Sequence, residues 1–171
     1  MLFGANIVNL QKTYIKMKQE IERKFLVKGP YKESATSSSY IEQGYIAKSE
    51  SLTLRIRTRD EQGFLTIKGR SENGISRSEW EYEIPVEQAR ELLTFSQGRI
   101  SKRRYLVPVG KHTFEVDEFY FQNEGLTVAE VELNDINEPF PRPEWLGEEV
   151  TGDKRYYNSQ LLRHPYSEWK E

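Results

Sequence analysis

From residue 20 onward, apolar and polar side chains alternate with a period of two, the spacing of strands that turn one face to a core. The alternation predicts eight strands, near 20–28, 39–47, 51–59, 63–69, 77–84, 100–108, 112–121 and 126–134. Turn chemistry separates them at Gly29–Pro30, Asp60 to Gly63, Gly69 to Gly74, Gly110 and Asn123 to Gly125. Helical spacing is clear once, where Pro85 precedes Val86, Ala89, Leu92 and Leu93, predicting a helix over 86–98. A second helix is expected within Lys154 to Arg163, stopped by Pro165, and Asn137 to Pro143 reads as irregular. Residues 1–16 do not continue the pattern. They read either as an extension upstream of Met17 or as an N-terminal helix packed on a single domain spanning 17–171.

The polar half of the alternation is unusual because it consists largely of charges. In Glu20-Ile21-Glu22-Arg23-Lys24-Phe25, the side chains of Glu20, Glu22 and Lys24 share a face. Arg55, Arg57 and Arg59 share another, opposite Leu54 and Ile56. Glu79, Glu81 and Glu83 oppose Trp80 and Tyr82, and the pairs Glu115/Asp117, Glu130/Glu132 and Lys102/Arg104 repeat the arrangement. An antiparallel sheet with one solvated face is the ordinary meaning of such alternation. Here, however, charges of one sign stack two or three deep within single strands, and like charges set opposite each other destabilise a sheet. Either acid strands sit beside base strands, or a bound polyvalent ligand occupies the face.

Composition sharpens that choice. The 171 residues carry 25 Lys+Arg and 27 Asp+Glu, so 52 charges must be placed with a hydrophobic fraction of only 36%. Eight strands closed into a barrel would remove the sheet edges and direct roughly fifteen charges inward, around a lumen sized for one small ligand. Inward charges need compensation. Arginine suits bidentate capture of phosphate oxygens. Carboxylates without His or Cys suit a hard ion, Mg²⁺ or Mn²⁺. The expected fold is therefore α+β, mainly β, an eight-stranded antiparallel closed barrel with helices outside. The expected chemistry is metal-assisted attack on a phosphate chain.

The absence of cysteine excludes disulfides, thiolate metal sites and a cysteine nucleophile. No apolar run approaches the roughly 18 residues of a membrane span, and the net charge of -2 argues against nucleic-acid or acidic-membrane partners. A cytoplasmic protein is expected; the oligomeric state is not readable.

In order along the chain, Glu20-x-Glu22-x-Lys24, Gln43-Gly44-Tyr45, Arg55-x-Arg57, Thr66-Ile67-Lys68, Ser76-Arg77-x-Glu79-x-Glu81, Lys102-x-Arg104-Tyr105, Glu115-x-Asp117, Glu130-x-Glu132 and the segment Gly147 to Tyr156 form one constellation. It resembles the CYTH superfamily, the triphosphate tunnel metalloenzymes, and within it the short bacterial branch that includes inorganic triphosphatases. The resemblance implies a tunnel that hydrolyses inorganic triphosphate, or a triphosphorylated small molecule, with one or two Mg²⁺ or Mn²⁺ ions. Lys24, Arg55, Arg57, Lys68, Lys102 and Arg104 would grip phosphates, and Glu20, Glu22, Glu79, Glu81, Glu130 and Glu132 would hold metal. Lys102, Arg104 and Tyr45 would stand at the reacting centre. Glu115, Asp117 and Arg155 would support it. A class IV-type adenylate cyclase and a thiamine triphosphatase are the alternatives within that resemblance. A polyphosphate- or nucleotide-binding module without turnover is the non-enzymatic one.

Other residues have plainer readings. His112 and His164 are expected at the surface, Trp80, Tyr82, Tyr105 and Trp145 as outward packing, and Arg23 and Glu118 as surface charges. Tyr45 equally suits a core position. Arg59, Arg103 and Glu83 stay ambiguous.

Overall fold

The computed structural model describes residues 21–49, 52–71 and 77–169. Residues 1–16, Glu20 and most of the turn expected at Gly69 to Gly74 lie outside the described residues.

Among the described residues, nine antiparallel strands form one sheet: β1 (Ile21–Val27), β2 (Ser37–Lys48), β3 (Leu52–Arg59), β4 (Gln62–Ser71), β5 (Arg77–Ile84), β6 (Ile100–Val109), β7 (His112–Phe119), β8 (Thr127–Leu133) and β9 (Leu146–Glu149). Their order is β5-β4-β3-β2-β6-β7-β8-β1-β9. Eight occupy the segments that alternation predicts. The ninth, β9, adds to β1 and holds only four residues, too short for a period to show. The expected closure is corrected as well. β5 and β9 are the two edges of the sheet, and among the described residues no ladder joins them.

Most apolar side chains lie on the outer face, which is covered in two places, and a third apolar cluster fills one end of the inner face. The helix α1 (Val86–Leu93), shorter than expected, lays Ala89 and Leu93 on Ile56, with Leu65 and Ile84 around them. Two glycines permit this approach: a Cβ on Gly63 would stand 2.7 Å from that of Ala89, and one on Gly44 would stand 2.6 Å from that of Ser96. The glycine of the Gln-Gly-Tyr segment thus serves the outer packing, while its neighbours face inward. Phe25, Val107, Phe114, Val116 and Val131 pack with Tyr31 and Trp145 beneath Phe140.

The C-terminal segment contributes a short 3-10 turn (Lys154–Tyr156) and α2 (Asn158–Leu161), the helix expected within Lys154 to Arg163. Its Tyr156 and Leu161 cluster with Ile100, Phe119 and Val128, which share strand parity with the charged residues and fill one end of the inner face. No helix among the described residues is long and apolar enough to cross a membrane.

Candidate active site

Strand register places the charges on one face. Across β3, β4 and β5, Arg55 stands opposite Thr66 and Thr66 opposite Glu81; Lys68 stands opposite Glu79. Across β6, β7, β8 and β1, Arg104 stands opposite Asp117, Glu115 opposite Glu130, Glu130 opposite Lys24 and Glu132 opposite Glu22. Acid stands beside base across β4/β5 and β6/β7, the first of the two compensations foreseen, whereas the acids of β7, β8 and β1 also stand opposite one another. Part of the face is enclosed, because Lys102 is 2% exposed and Asp117 1%, whereas Glu22, Glu81 and Glu132 are exposed. A flat solvated face does not bury charges to that degree.

The carboxylates occupy two flanks. On the β5 flank, Glu81 Oε2 accepts from Arg57 Nη2 at 2.9 Å, Arg55 Nη2 at 3.4 Å and the Thr66 hydroxyl at 3.0 Å. Lys68 Nζ lies 2.6 Å from Glu79 Oε2, and Arg55 lies 3.8 Å from Glu79 Oε1. On the other flank, Lys102 Nζ donates to Asp117 Oδ2 at 2.5 Å, and Arg104 grips both Asp117 oxygens at 2.7 Å while also pairing with Glu115. Glu115 and Asp117 thus pair with the bases. Lys24 is shared by Glu130 and Glu22, the latter at 2.9 Å.

Burial sets the electrostatics. Burial works against the Asp117 charge, yet Arg104 and then Lys102 overcome it and hold the carboxyl well below its ordinary value. Burial pulls Lys102 below the usual lysine range, and Asp117 offsets this only in part. Arg104 is also opposed by burial, but Asp117, Glu115 and Glu130 hold it above its usual value. Although two-fifths of the Glu22 side chain meets solvent, desolvation and then Glu130 push its pKa up.

The β3 row behaves differently. Burial lowers the Arg57 pKa to about 10, and the charges of Arg55, Arg59 and Arg104 add to the effect against the single attraction of Glu81. The buried Nε atoms of Arg55, Arg57 and Arg59 have no acceptor. Buried donors are nearly always satisfied, so a row of three without acceptors marks a place for an anion.

The donor set for a metal is made of carboxylate oxygens, as a hard divalent ion requires. Glu22 and Glu130 converge on one lysine, and their mutual repulsion is the kind a divalent cation relieves. The residues fit in chemistry. Among the described residues, however, no three Asp, Glu or His side chains already converge as a cage, and Glu79 and Glu81 stand on the opposite flank from Glu22, Glu130 and Glu132.

The remaining expected residues divide. Tyr45 faces inward on β2 just before a register shift, and its hydroxyl accepts from Gln43 Nε2 at 3.4 Å. Bulges of this kind frequently re-aim a side chain beside a site. Gln43 itself, 2% exposed between Arg57 and Ile100, carries no charge, so the charged alternation gave it no role. Arg155 pairs with Asp153 at 2.6 Å and stacks on Tyr156 and Trp169.

His112 is a correction: it is buried, with Nε2 3.1 Å from Glu138, because the loop after β8 folds over it. His164 is exposed beside Glu168, as expected. Trp145 packs in the outer core, whereas Trp80 and Tyr82 point outward uncovered, 40% and 50% exposed. Arg23 and Glu118 lie on the outer face, where they bond Glu149 and Tyr31.

The model of the CYTH domain matches residues 18–163. An inorganic triphosphatase of Acetivibrio thermocellus is 46% identical over 157 residues, covering 91% of this chain and 100% of the relative. One of Nitrosomonas europaea is 40% identical over 148 residues, covering 83% and 95%. A crystal structure of an inorganic triphosphatase superposes with a TM-score of 0.66 at 36% identity, covering 84% of this chain and 93% of that one.

Proposed function

Because the chain belongs to the CYTH domain family, we propose that it hydrolyses inorganic triphosphate to pyrophosphate and phosphate on the charged inner face. One observation carries the reading. The β3 row has more positive charge than its acids compensate, leaves three buried Nε donors without acceptors, and lowers the Arg57 pKa through burial and then its arginine neighbours. A chain of phosphoryl groups supplies the missing acceptors and the missing negative charge together.

In this reading Arg55, Arg57, Lys68, Arg104 and Lys24 grip non-bridging oxygens and fix the chain in line for attack by water, which is most of what phosphoryl transfer needs. Lys102, whose proton burial makes easier to release, gives it to the bridging oxygen as the P–O bond breaks, and the proton lost by the attacking water restores it. Arg104 keeps its charge throughout because Asp117 and Glu115 hold it. Tyr45, set by Gln43, faces the chain from β2.

Mg²⁺ or Mn²⁺ would be held by Glu22, Glu130 and Glu132 on one flank and by Glu79 and Glu81 on the other, with Glu20 completing the set. When bound, such an ion neutralises phosphate charge and lowers the pKa of water from about 15.7 towards roughly 7. The test is phosphate release from tripolyphosphate, ATP, GTP and thiamine triphosphate with either ion, with cyclic nucleotide measured alongside. Tripolyphosphate is expected to be the best substrate. Inactivity on all four, or cyclic nucleotide as the main product, overturns the reading.

A further inference from the structure

Arg59 continues the inward row of Arg55 and Arg57 by one step, yet its surroundings differ from theirs. Arg55 and Arg57 share the carboxylate of Glu81. In register, Arg59 stands between Gln62 on β4 and Ile41 on β2, and Ile41 stands opposite Lys102. The acids of β5 do not extend to this rank: Glu83 is opposite Phe64, which is opposite Arg57, and β5 ends at Ile84. The nearest cation in the rank, Lys102, is already neutralised by Asp117 at 2.5 Å. Arg59 has no ion pair with any described residue, and its Nε is buried without an acceptor. Its guanidinium lies 5.5 Å from the centre of the Phe64 ring, which Arg57 also flanks at 5.4 Å, so the ring steadies the head group while its Nε stays open. A pre-positioned arginine that lacks an acceptor, on a face where the other bases have partners, is a subsite for an anionic group.

We propose that Arg59 binds one terminal phosphoryl group of the substrate and so selects a three-phosphoryl chain over a two-phosphoryl one. This rests on the triphosphatase reading above. At the rise of a β-strand, the Cα atoms of Arg55 and Arg59 are about 13 Å apart. Two linked phosphoryl groups engage Arg55 and Arg57 without reaching Arg59; a third closes the gap. The selection also favours departure of pyrophosphate, since the product loses one anchor that the substrate had.

The test compares the protein with R59Q and R59K, measuring KM and kcat for tripolyphosphate and the competitive inhibition constant of pyrophosphate, with melting temperature as a check of folding. R59Q is expected to raise KM about tenfold, the loss of one charge-assisted contact, with kcat and the pyrophosphate constant unchanged. R59K is expected to recover part of the KM. An unchanged KM overturns the proposal, as does an equal weakening of tripolyphosphate and pyrophosphate, which would make Arg59 only a source of general positive field. If R59Q fails to fold, R59K decides alone: its KM must rise while the pyrophosphate constant holds, and no rise overturns the proposal. If the protein itself does not turn over tripolyphosphate, the triphosphatase reading falls separately. Calorimetric binding of tripolyphosphate and pyrophosphate to the protein and to R59Q then decides the role of Arg59, with the same selective loss expected.

Discussion

Lys102 and Asp117 meet at 2.5 Å on adjacent strands, and both side chains are almost wholly withdrawn from solvent. Removing one member leaves the other charged and unpaired at low dielectric. D117N is therefore expected to destabilise the protein by about 3–5 kcal/mol. The double variant D117N/K102M should recover much of that loss in chemical denaturation while remaining inactive. Full stability in D117N alone would contradict the pairing.

Glu81 is the shared acceptor of Arg55, Arg57 and Thr66, and the proposed function also makes it a metal ligand. E79Q/E81Q should lose metal-dependent turnover in a phosphate-release assay but still bind tripolyphosphate, since the arginines remain. Intact turnover would remove both acids from the metal set.

Arg57 should behave in the opposite way to those acids. R57A is expected to weaken substrate retention, raising KM about tenfold through the lost charge-assisted contact. Unchanged KM and kcat would remove Arg57 from the phosphate grip.

Outside the site, Gly63 is the position where α1 rests directly on β4. The Cβ of G63A would lie 2.7 Å from that of Ala89 and 2.8 Å from the Ile84 carbonyl. Overpacking of this kind costs about 1–3 kcal/mol. A melting temperature equal to that of the parent would show that the helix yields freely.

Stability should also depend on pH through Glu149. Arg23 donates two bonds to it, at 2.5 and 2.7 Å, and these, with Thr151 and Arg142, hold its carboxyl at about 2, below the ordinary 4.5. A depressed carboxyl stabilises the folded state fully above its unfolded pKa, and the contribution is lost as pH falls through the folded value. The stability difference between the protein and E149Q should thus be near 1 kcal/mol above pH ~5 and shrink towards zero near pH ~2, the pair being partly exposed. A constant difference across that range would argue against the ion pair as its source.

Much of this architecture could be read from residue types because each strand announces its inner face with charges. Arg55 and Arg57, Glu79 and Glu81, Lys102 and Arg104 lie where parity puts them. What escaped has physical reasons. β9 is a four-residue strand recruited by β1 rather than by its own periodicity. The need to compensate inward charge predicts closure. The structure meets that need by cross-strand pairs such as Lys68–Glu79 and Arg104–Asp117, which form whether or not the last two strands join. His112 looked superficial from its place beside Gly110, and only the fold of a distant loop buries it. Gln43 enters the sequence reading only through the Gln43-Gly44-Tyr45 segment, because an uncharged amide carries no sign to match against a neighbour.

The sheet's free edge has a further consequence. β5 presents one side of its backbone without a strand partner among the described residues, and its outward Trp80 and Tyr82 are exposed. Such an edge ordinarily templates the addition of another chain. Two copies approaching antiparallel along β5 would bring Glu79, Glu81 and Glu83 of each against the same row of the other, and like charges so opposed destabilise a ladder. The glutamates that serve the interior also protect the protein from polymerising through its own edge.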